Sequence, residues 1–521
     1  MNKNSHKKTF QNLNLISTDN TGHGEAQYKM GVICQQNGHF QEAIDYYKKG
    51  INCHYISEKL FYNLAICYHE INEIDHAIDS FFRAIEIKKD FHEAIKHCCH
   101  LCLKRGKELQ QNQRVDEAIQ LYLKCLCFSS GDQLIALLHY LVSAYAVKGD
   151  ITNALKCSIR SLELDPMNSL SYSQLSQIKK FTSEDITFIK QMELLVNQYK
   201  KENEDDQLNL CWALAKAYDD INNFNKAFSY YKKANAIHSK KMTYSIKDII
   251  RFRDQLISIF EQSHIYRLSS FGNKSTLPIF IVGHNRTGTT LLANKLSMLD
   301  KVYSAGELDF FNQFVSGYPN NIPEVTKNNI NELSEKYLSI LNNVSEDAIR
   351  VIDKMPTNFA HIGWILTLFP NATIIHCKRH PLDTCLSNFF MRYAIGNKFT
   401  YDLNQMAMYF KAYEPLMKFW YKLFKDNIYT IYYEHLILHT ETVGKKLVNW
   451  LGLEWKNDFL SHQKNTNITY TCSLWQARQK IFTSSLYRWK NYEHLIREIM
   501  NYLSNEIIEY EHELSLSRDN F

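Results

Sequence analysis

The residues best suited to chemistry on a phosphate-like anion lie in Gly283-His284-Asn285-Arg286-Thr287-Gly288-Thr289-Thr290. The apolar run Ile279-Phe280-Ile281-Val282 precedes them and Leu291-Leu292-Ala293-Asn294-Lys295-Leu296 follows. Strand, loop and helix thus come in order, and a loop feeding a helix N-terminus aims backbone N–H groups and the positive end of the helix dipole at a bound anion. The pattern Gly-x-x-x-x-Gly-x-Thr copies a triphosphate-binding loop, except that Thr289 stands where a lysine normally reaches the β- and γ-phosphates. That departure argues against a nucleoside triphosphate, while Arg286 supplies the cationic contact.

Further along lie groups that handle protons and charge. Glu307, in Ser304-Ala305-Gly306-Glu307-Leu308, follows the loop helix by a short connection. Its carboxylate can accept a hydroxyl proton, particularly where desolvation raises its pKa. Asp309 is close enough in sequence to take the same part, and His284 is a rival base because an unperturbed imidazole titrates nearer neutrality. The strand Ile349–Ile352 leads to Asp353-Lys354-Met355-Pro356, where Lys354 can stabilise developing negative charge. Thr373–Lys378 reads as a β-branched strand ending at Arg379, with a helix after Pro381 that carries Ser387. An arginine at a strand's end makes bidentate phosphate contacts, and a hydroxyl two helical turns along can reach the same anion. His376 and His380 border this pair as packing or phosphate neighbours. A last strand, Ile428–Tyr432, runs into Tyr433-Glu434-His435-Leu436.

The first half of the chain has a different character. Gly31 precedes Ala43 and Ala65 precedes Ala77, giving two copies 34 residues apart. Each copy forms two helices: Ala26–Gln36 with Gln41–Ile51, then Lys59–Ile71 with Ile74–Ile87. Asn37-Gly38 and Asn72-Glu73 supply the tight connections. Small residues allow paired helices to approach, and aromatics such as Tyr28, Phe40, Tyr47, Phe61, Tyr68 and Phe81 fill the spaces between them. This resembles a tetratricopeptide repeat. Ala118, Ala154 and Ala227 mark looser copies, Pro166 stops one helix, and Asn168–Asp206 reads as a diverged copy. Such stacks present a groove to a peptide or partner, form dimers, or pack on a neighbouring domain, and the architecture does not choose among these.

At 521 residues the chain divides into more than one core. A net charge of +5 is too dilute to argue for a nucleic-acid or membrane partner. Met1–Gly22 is polar and lacks the apolar core of a secretory signal, so a cytoplasmic chain is expected. The apolar run Ile135–Val147 falls well short of the roughly 20 residues that span a bilayer and reads as a buried helix. Thirteen cysteines without regular spacing read as reduced, mostly buried thiols. The cluster His97, Cys98, Cys99, His100, Cys102 is not expected to bind zinc, because successive helical residues point about 100° apart and Cys98 and Cys99 cannot readily close one tetrahedron.

Together with Ser473–Trp489, these segments resemble a family of tetratricopeptide-repeat sulfotransferases, related in their catalytic half to protein-tyrosine sulfotransferases. The resemblance runs from about Glu25 to Glu493. It implies a multidomain chain: a polar tail (1–23), an all-α tetratricopeptide-type solenoid (24–262), and an α/β, P-loop-like sulfotransferase domain with a mainly parallel sheet (263–521). It also implies 3′-phosphoadenosine-5′-phosphosulfate (PAPS) as sulfuryl donor and no metal. Arg286, Thr287, Gly288, Thr289 and Thr290 would hold the 5′-phosphosulfate, Arg379 and Ser387 the 3′-phosphate, and Tyr433 the nucleotide. Arg488 stands where a cation helps to bind the donor phosphate. The catalytic set implied is Glu307 as base, at the family spacing from Arg286, with Arg286, Lys354 and Ser473 around the transferring group. The acceptor would be a hydroxyl of a protein or peptide, held by the repeats in one reading, or of a saccharide or small metabolite; a homodimer is also compatible. Two rival readings are a P-loop nucleotide kinase and a noncatalytic repeat scaffold with a degenerate transferase domain.

Overall fold

The structure is a computed structural model that describes residues 20–199, 203–240, 244–262, 265–314, 329–393, 397–464 and 483–518. Two compact units divide the chain, Met1–Leu175 and Ser176–Phe521.

In the first unit the small residues of the repeat pattern are explained by what lies against them. A Cβ on Gly31 would come 2.5 Å from the Tyr47 ring, and one on Gly106 would collide with the Tyr122 ring. Ala43, Ala65, Ala77, Ala118 and Ala154 are fully buried. Helices accordingly pack as consecutive pairs: Asn20–Gln36 with Phe40–Asn52, Glu58–Glu70 with Ile74–Ile87, His92–Gln111 with Val115–Leu126, and Gly131–Lys148 with Ile151–Leu164. Within the pairs the chain turns through left-handed residues, Gly38 (φ 77°), Asn72 (φ 63°), Gln113 (φ 63°) and Gly149 (φ 88°). Glycine and asparagine pay least for that conformation at a helix end.

Cys98 and Cys99 diverge as helix geometry requires. The Cys98 sulfur lies 3.9 Å from that of Cys102, whereas Cys99 contacts Cys125 at 3.2 Å and the Ser129 hydroxyl at 3.1 Å. Cys125, from the next helix, nevertheless brings its sulfur within 4.8 Å of both Cys98 and Cys102. The run at Ile135–Val147 lies in the helix Gly131–Lys148, and among the described residues no helix is long and apolar enough to cross a membrane.

The second unit begins in helices. Glu204–Asp220 pairs with Phe224–Ser239, again through a left-handed asparagine, Asn222 (φ 62°), and Ile246–Gln262 follows. Five strands then form a parallel sheet: β1 (Pro278–Gly283), β2 (Val302–Gly306), β3 (Arg350–Asp353), β4 (Thr373–Lys378) and β5 (Ile428–Tyr432), in the order β2-β3-β1-β4-β5. Alternation along the strands builds two cores. Phe280, Val282, Val351, Ile374 and Ile428 face Phe260, Trp364 and Trp420 on one side, while Ile279, Ile281, Ile352, Ile375 and Ile431 face Leu292, Leu296 and Leu447 on the other. Burial on both faces is what a parallel sheet requires, and β1 is buried throughout. The connection read before Glu307 is itself a strand, the edge strand β2.

Substituting Gly106→Val should lower the stability of the first unit by about 1–3 kcal/mol, because the new side chain overpacks the helix pair against Tyr122. A urea titration followed by circular dichroism reads this directly. An unchanged transition would mean that the pair can open without cost.

Candidate functional site

The carboxyl ends of the parallel strands collect the polar residues, and β1 delivers the loop into the crevice where the strand order reverses. Two glycines are required by their surroundings. Gly283 has φ 148°, and a Cβ there would meet the Cys377 carbonyl oxygen at 2.5 Å. Gly288 has φ 90°, and its Cβ would meet the Tyr433 ring at 2.5 Å. Between them Arg286 also turns through positive φ (71°), a conformation that in a non-glycine residue costs of order 1–3 kcal/mol and persists only where neighbours hold it.

The holding contacts fall on three successive carbonyls. Thr287 Oγ1 donates to the His284 carbonyl at 2.7 Å, Asn388 Nδ2 to the Asn285 carbonyl at 2.9 Å, and the Arg379 guanidinium to the Arg286 carbonyl at 3.0 Å. Asn285 Nδ2 in turn donates to Asn397 Oδ1 at 2.7 Å. With the carbonyls so engaged, the helix Thr289–Leu296 begins directly after Gly288, and its first N–H groups have no intrahelical acceptors. Thr287, Thr289 and Thr290 are all buried.

Arg286, Ser387, Arg379 and Tyr433 are brought together around this loop. Arg286 Nε donates to Ser387 Oγ at 3.1 Å. Arg379 is 7% exposed, donates to the Ser485 carbonyl at 2.6 Å, lies 3.7 Å from Asp383, and stacks its guanidinium 4.6 Å from the centre of the Tyr433 ring. The Tyr433 hydroxyl closes the group on Ser485 Oγ at 2.9 Å. Arg379 Nε and Trp489 Nε1 are buried donors without a hydrogen-bond partner among the described residues. The unanswered Nε on the buried Arg379 guanidinium, near Arg286, suits an anion with several acceptor oxygens.

A second polar group sits at the ends of β2 and β3. Glu307 and Lys354 form an ion pair, with Lys354 1% and Glu307 37% exposed. The Lys354 amide donates to the Gly306 carbonyl at 2.8 Å, which fixes the two strand ends side by side. Beneath them Asp353 accepts from the Tyr337 hydroxyl at 2.8 Å and Asn358 Nδ2 at 3.2 Å, and burial pushes its carboxyl up to about 7.

The other candidates are placed differently. His284 is 4% exposed, with Phe410 stacked at 4.5 Å and Tyr413 at 4.0 Å between ring centroids; burial pushes its pKa down to about 3. Asp309 accepts from the side chains of Asn312 at 2.8 Å and Gln313 at 3.2 Å. His376 lies between the Tyr413 and Tyr421 hydroxyls, at 2.5 and 2.8 Å. His380 Nδ1 accepts from the Leu382 amide at 3.3 Å, opening the helix Pro381–Phe389. Arg488 pairs with Asp219 and lies 4.9 Å from the Phe390 ring centre, close enough to Asp383 to act on its charge. Ser473 lies outside the described residues.

Sequence reasoning missed the residues that hold the others: Ser485, Asn388, Asp383 and Glu434. Asp383 stands one helical turn after Arg379 and accepts from the Trp489 amide at 2.9 Å, a spacing that could have flagged it. Glu434, 1% exposed, accepts from the His380 amide at 3.0 Å and from the Tyr510 hydroxyl, joining the ends of β4 and β5.

Residues 278–457 match the profile described as the sulfotransferase family, and residues 24–52, 58–91 and 208–237 match the tetratricopeptide repeat. The chain therefore carries a sulfotransferase-family domain behind tetratricopeptide repeats. An uncharacterised protein of Aquifex aeolicus (strain VF5) is 26% identical over 436 residues, 80% of this chain and 56% of that protein. A protein-tyrosine sulfotransferase of Drosophila melanogaster is 25% identical over 217 residues, 39% of this chain and 43% of that protein. The chain thus spans about half the length of these curated relatives. Among solved structures, the sulfotransferase domain of the Synechococcus PCC 7002 olefin synthase aligns with 42% of this chain and 89% of its own, at 19% identity and a TM-score of 0.33.

Gly288→Ala should destabilise the loop by about 1–3 kcal/mol, since the left-handed backbone and the Tyr433 ring both oppose a Cβ. Calorimetric unfolding measures the loss. An alanine variant with unchanged stability would show that the loop has room to rearrange.

Proposed function

We propose that the chain transfers a sulfuryl group from PAPS to a hydroxyl acceptor, with residues 263–521 as the catalytic domain. The observation that carries this reading is the convergence of Arg286, Ser387 and Arg379 on a loop that has Thr289 in place of a lysine. In this reading the loop amides and Arg286 hold the 5′-phosphosulfate, while Arg379 and Ser387 hold the 3′-phosphate. Arg379 Nε is a donor such an anion would satisfy. Arg488, tied to Asp219, helps to hold the donor phosphate in this reading if it exchanges that partner for the anion, and Tyr433 packs beside the nucleotide.

Glu307 takes the acceptor's proton as the acceptor oxygen bonds to sulfur, and the bond from sulfur to the 5′-phosphate oxygen breaks. The products are a sulfate ester and adenosine 3′,5′-bisphosphate. Lys354 neutralises charge as it moves onto the leaving oxygen, and Arg286 and Ser473 add donors. The chemistry calls for no metal. Glu307 is preferred to His284 because the imidazole is enclosed by aromatic rings and resists protonation, and to Asp309 because Glu307 has the family spacing from Arg286 and sits against Lys354. The repeats supply a surface for a protein partner or for the acceptor.

Adenosine 3′,5′-bisphosphate at one hundred times its Kd should stabilise the protein by about 2.7 kcal/mol, and ATP with magnesium should not. Stabilisation by ATP alone would favour a kinase. With labelled PAPS and a cell extract as acceptor source, Glu307→Gln should reduce transfer by about 10²–10⁴-fold while donor affinity stays unchanged. Turnover that survives this substitution would remove Glu307 as the base.

A further inference from the structure

The helices His92–Gln111 and Val115–Leu126 pack as a pair, and sulfur gathers where they meet. Cys98 and Cys102 stand about one helical turn apart on one face of the first helix, so their thiols lie on the same side. Cys125 reaches them from the second helix. The three Sγ atoms lie within 4.8 Å of one another, with those of Cys98 and Cys102 separated by 3.9 Å. Cys98 and Cys102 are 0% exposed and Cys125 is 2% exposed.

Such a triangle has the dimensions of a metal site. The centre of an equilateral triangle with 3.9 Å sides lies about 2.3 Å from each corner, the length of a metal–thiolate bond. No cavity is needed, because an ion at that point replaces thiol hydrogens, and the sulfurs need shift only slightly. Ligand number then narrows the choice of metal. Among the described residues no fourth His, Cys, Asp or Glu atom joins the three within the same distance. Cys99 is turned aside, its sulfur against that of Cys125 at 3.2 Å and the Ser129 hydroxyl at 3.1 Å. Soft sulfur ligands select copper(I), zinc and iron–sulfur clusters. Structural zinc closes a tetrahedron of four ligands, and iron–sulfur clusters are held by four cysteines. Copper(I), a closed-shell ion that accepts three ligands, is the one that fits.

We propose that Cys98, Cys102 and Cys125 hold one copper(I) ion in trigonal coordination, tying together the two helices of this repeat. The ion's charge offsets that of thiolates which burial alone disfavours. Because the sulfurs are shut from solvent, the ion enters when the helix pair opens, and its binding is coupled to the folding of the first unit. The site belongs to the repeats and does not rest on the sulfuryl-transfer reading.

The test uses the full chain, reduced and without oxygen so that Cys99 and Cys125 stay thiols. It is incubated with copper(I)–glutathione just below its unfolding midpoint, where the helix pair opens, and then challenged with the copper(I) chelator bathocuproine disulfonate. One ion per chain should stay bound, and X-ray absorption should count three sulfurs at about 2.3 Å. Cys102→Ala and Cys125→Ala should each weaken retention by more than about 100-fold, since losing a group that merely orients a metal ligand already costs about 10–100-fold. Cys99→Ser should cost no more than about tenfold. The sulfur count on the unsubstituted chain decides by itself if the alanine variants do not fold. Copper lost to the chelator, a shell containing nitrogen, oxygen or a fourth sulfur, retention that survives either alanine, or loss of the ion in Cys99→Ser would each overturn the proposal.

Discussion

The carbonyl oxygens of the loop after β1 must be held away from the place where an anion would sit, or the loop would present the wrong end of its peptide dipoles. Three side chains meet that constraint, and they come from different distances in the chain. Thr287 acts within the loop, whereas Arg379 arrives from the end of β4 and Asn388 from the last turn of the helix Pro381–Phe389. Arg379 can do this because β4 lies beside β1 in register, with Gly283 opposite Cys377. Its planar guanidinium serves the Arg286 carbonyl, the Ser485 carbonyl and the Tyr433 face together. A lysine, with one compact charge and no plane to stack, could not hold all three.

The same ring that receives Arg379 also closes the loop from the other side. Tyr433 occupies the space a Gly288 side chain would need, so the second glycine of the motif is required by tertiary contact as well as by backbone angle. Charge at the β2 and β3 ends is arranged on a different principle. Lys354 is almost wholly buried, and an ammonium group taken from water without a partner would be costly. Glu307 answers it while remaining partly exposed. Such a pair can exchange its internal contact for contacts to a ligand.

Features carried by local pattern were legible in the sequence. The β-branched run before Arg379, the glycine spacing of the loop and the small residues at Gly31, Ala43, Ala65 and Ala77 each state a local steric need. Strand β2 was not legible, because Val302-Tyr303-Ser304-Ala305-Gly306 is short, buries only its first residue and shows no alternation. It is a strand because β3 offers it an edge. The chain from Asp309 through Asn312 to His361 was likewise invisible, because no local pattern announces hydrogen bonds of that kind. The cysteine cluster shows the opposite error of scale. The helical angle rightly separated Cys98 from Cys99, but the third sulfur beside Cys98 and Cys102 comes from Cys125 in another helix.

The helical repeat also reaches the site in a way its period does not reveal. Within the second unit, Tyr231 stacks on Phe390 at 4.1 Å, Phe228 lies 5.9 Å from Phe389, and Asn235 donates to the Phe389 carbonyl at 2.9 Å. Asp219 binds both Arg488 and the Tyr492 hydroxyl. These contacts grip the end of the helix that bears Ser387 and the segment whose Trp489 amide binds Asp383. Partly exposed ion pairs contribute little by themselves, so the aromatic packing must carry most of the joint. The Asp219–Arg488 pair then sets its register, and a displacement of the hairpin Glu204–Ser239 would be felt at Asp383 and, through it, at Arg379.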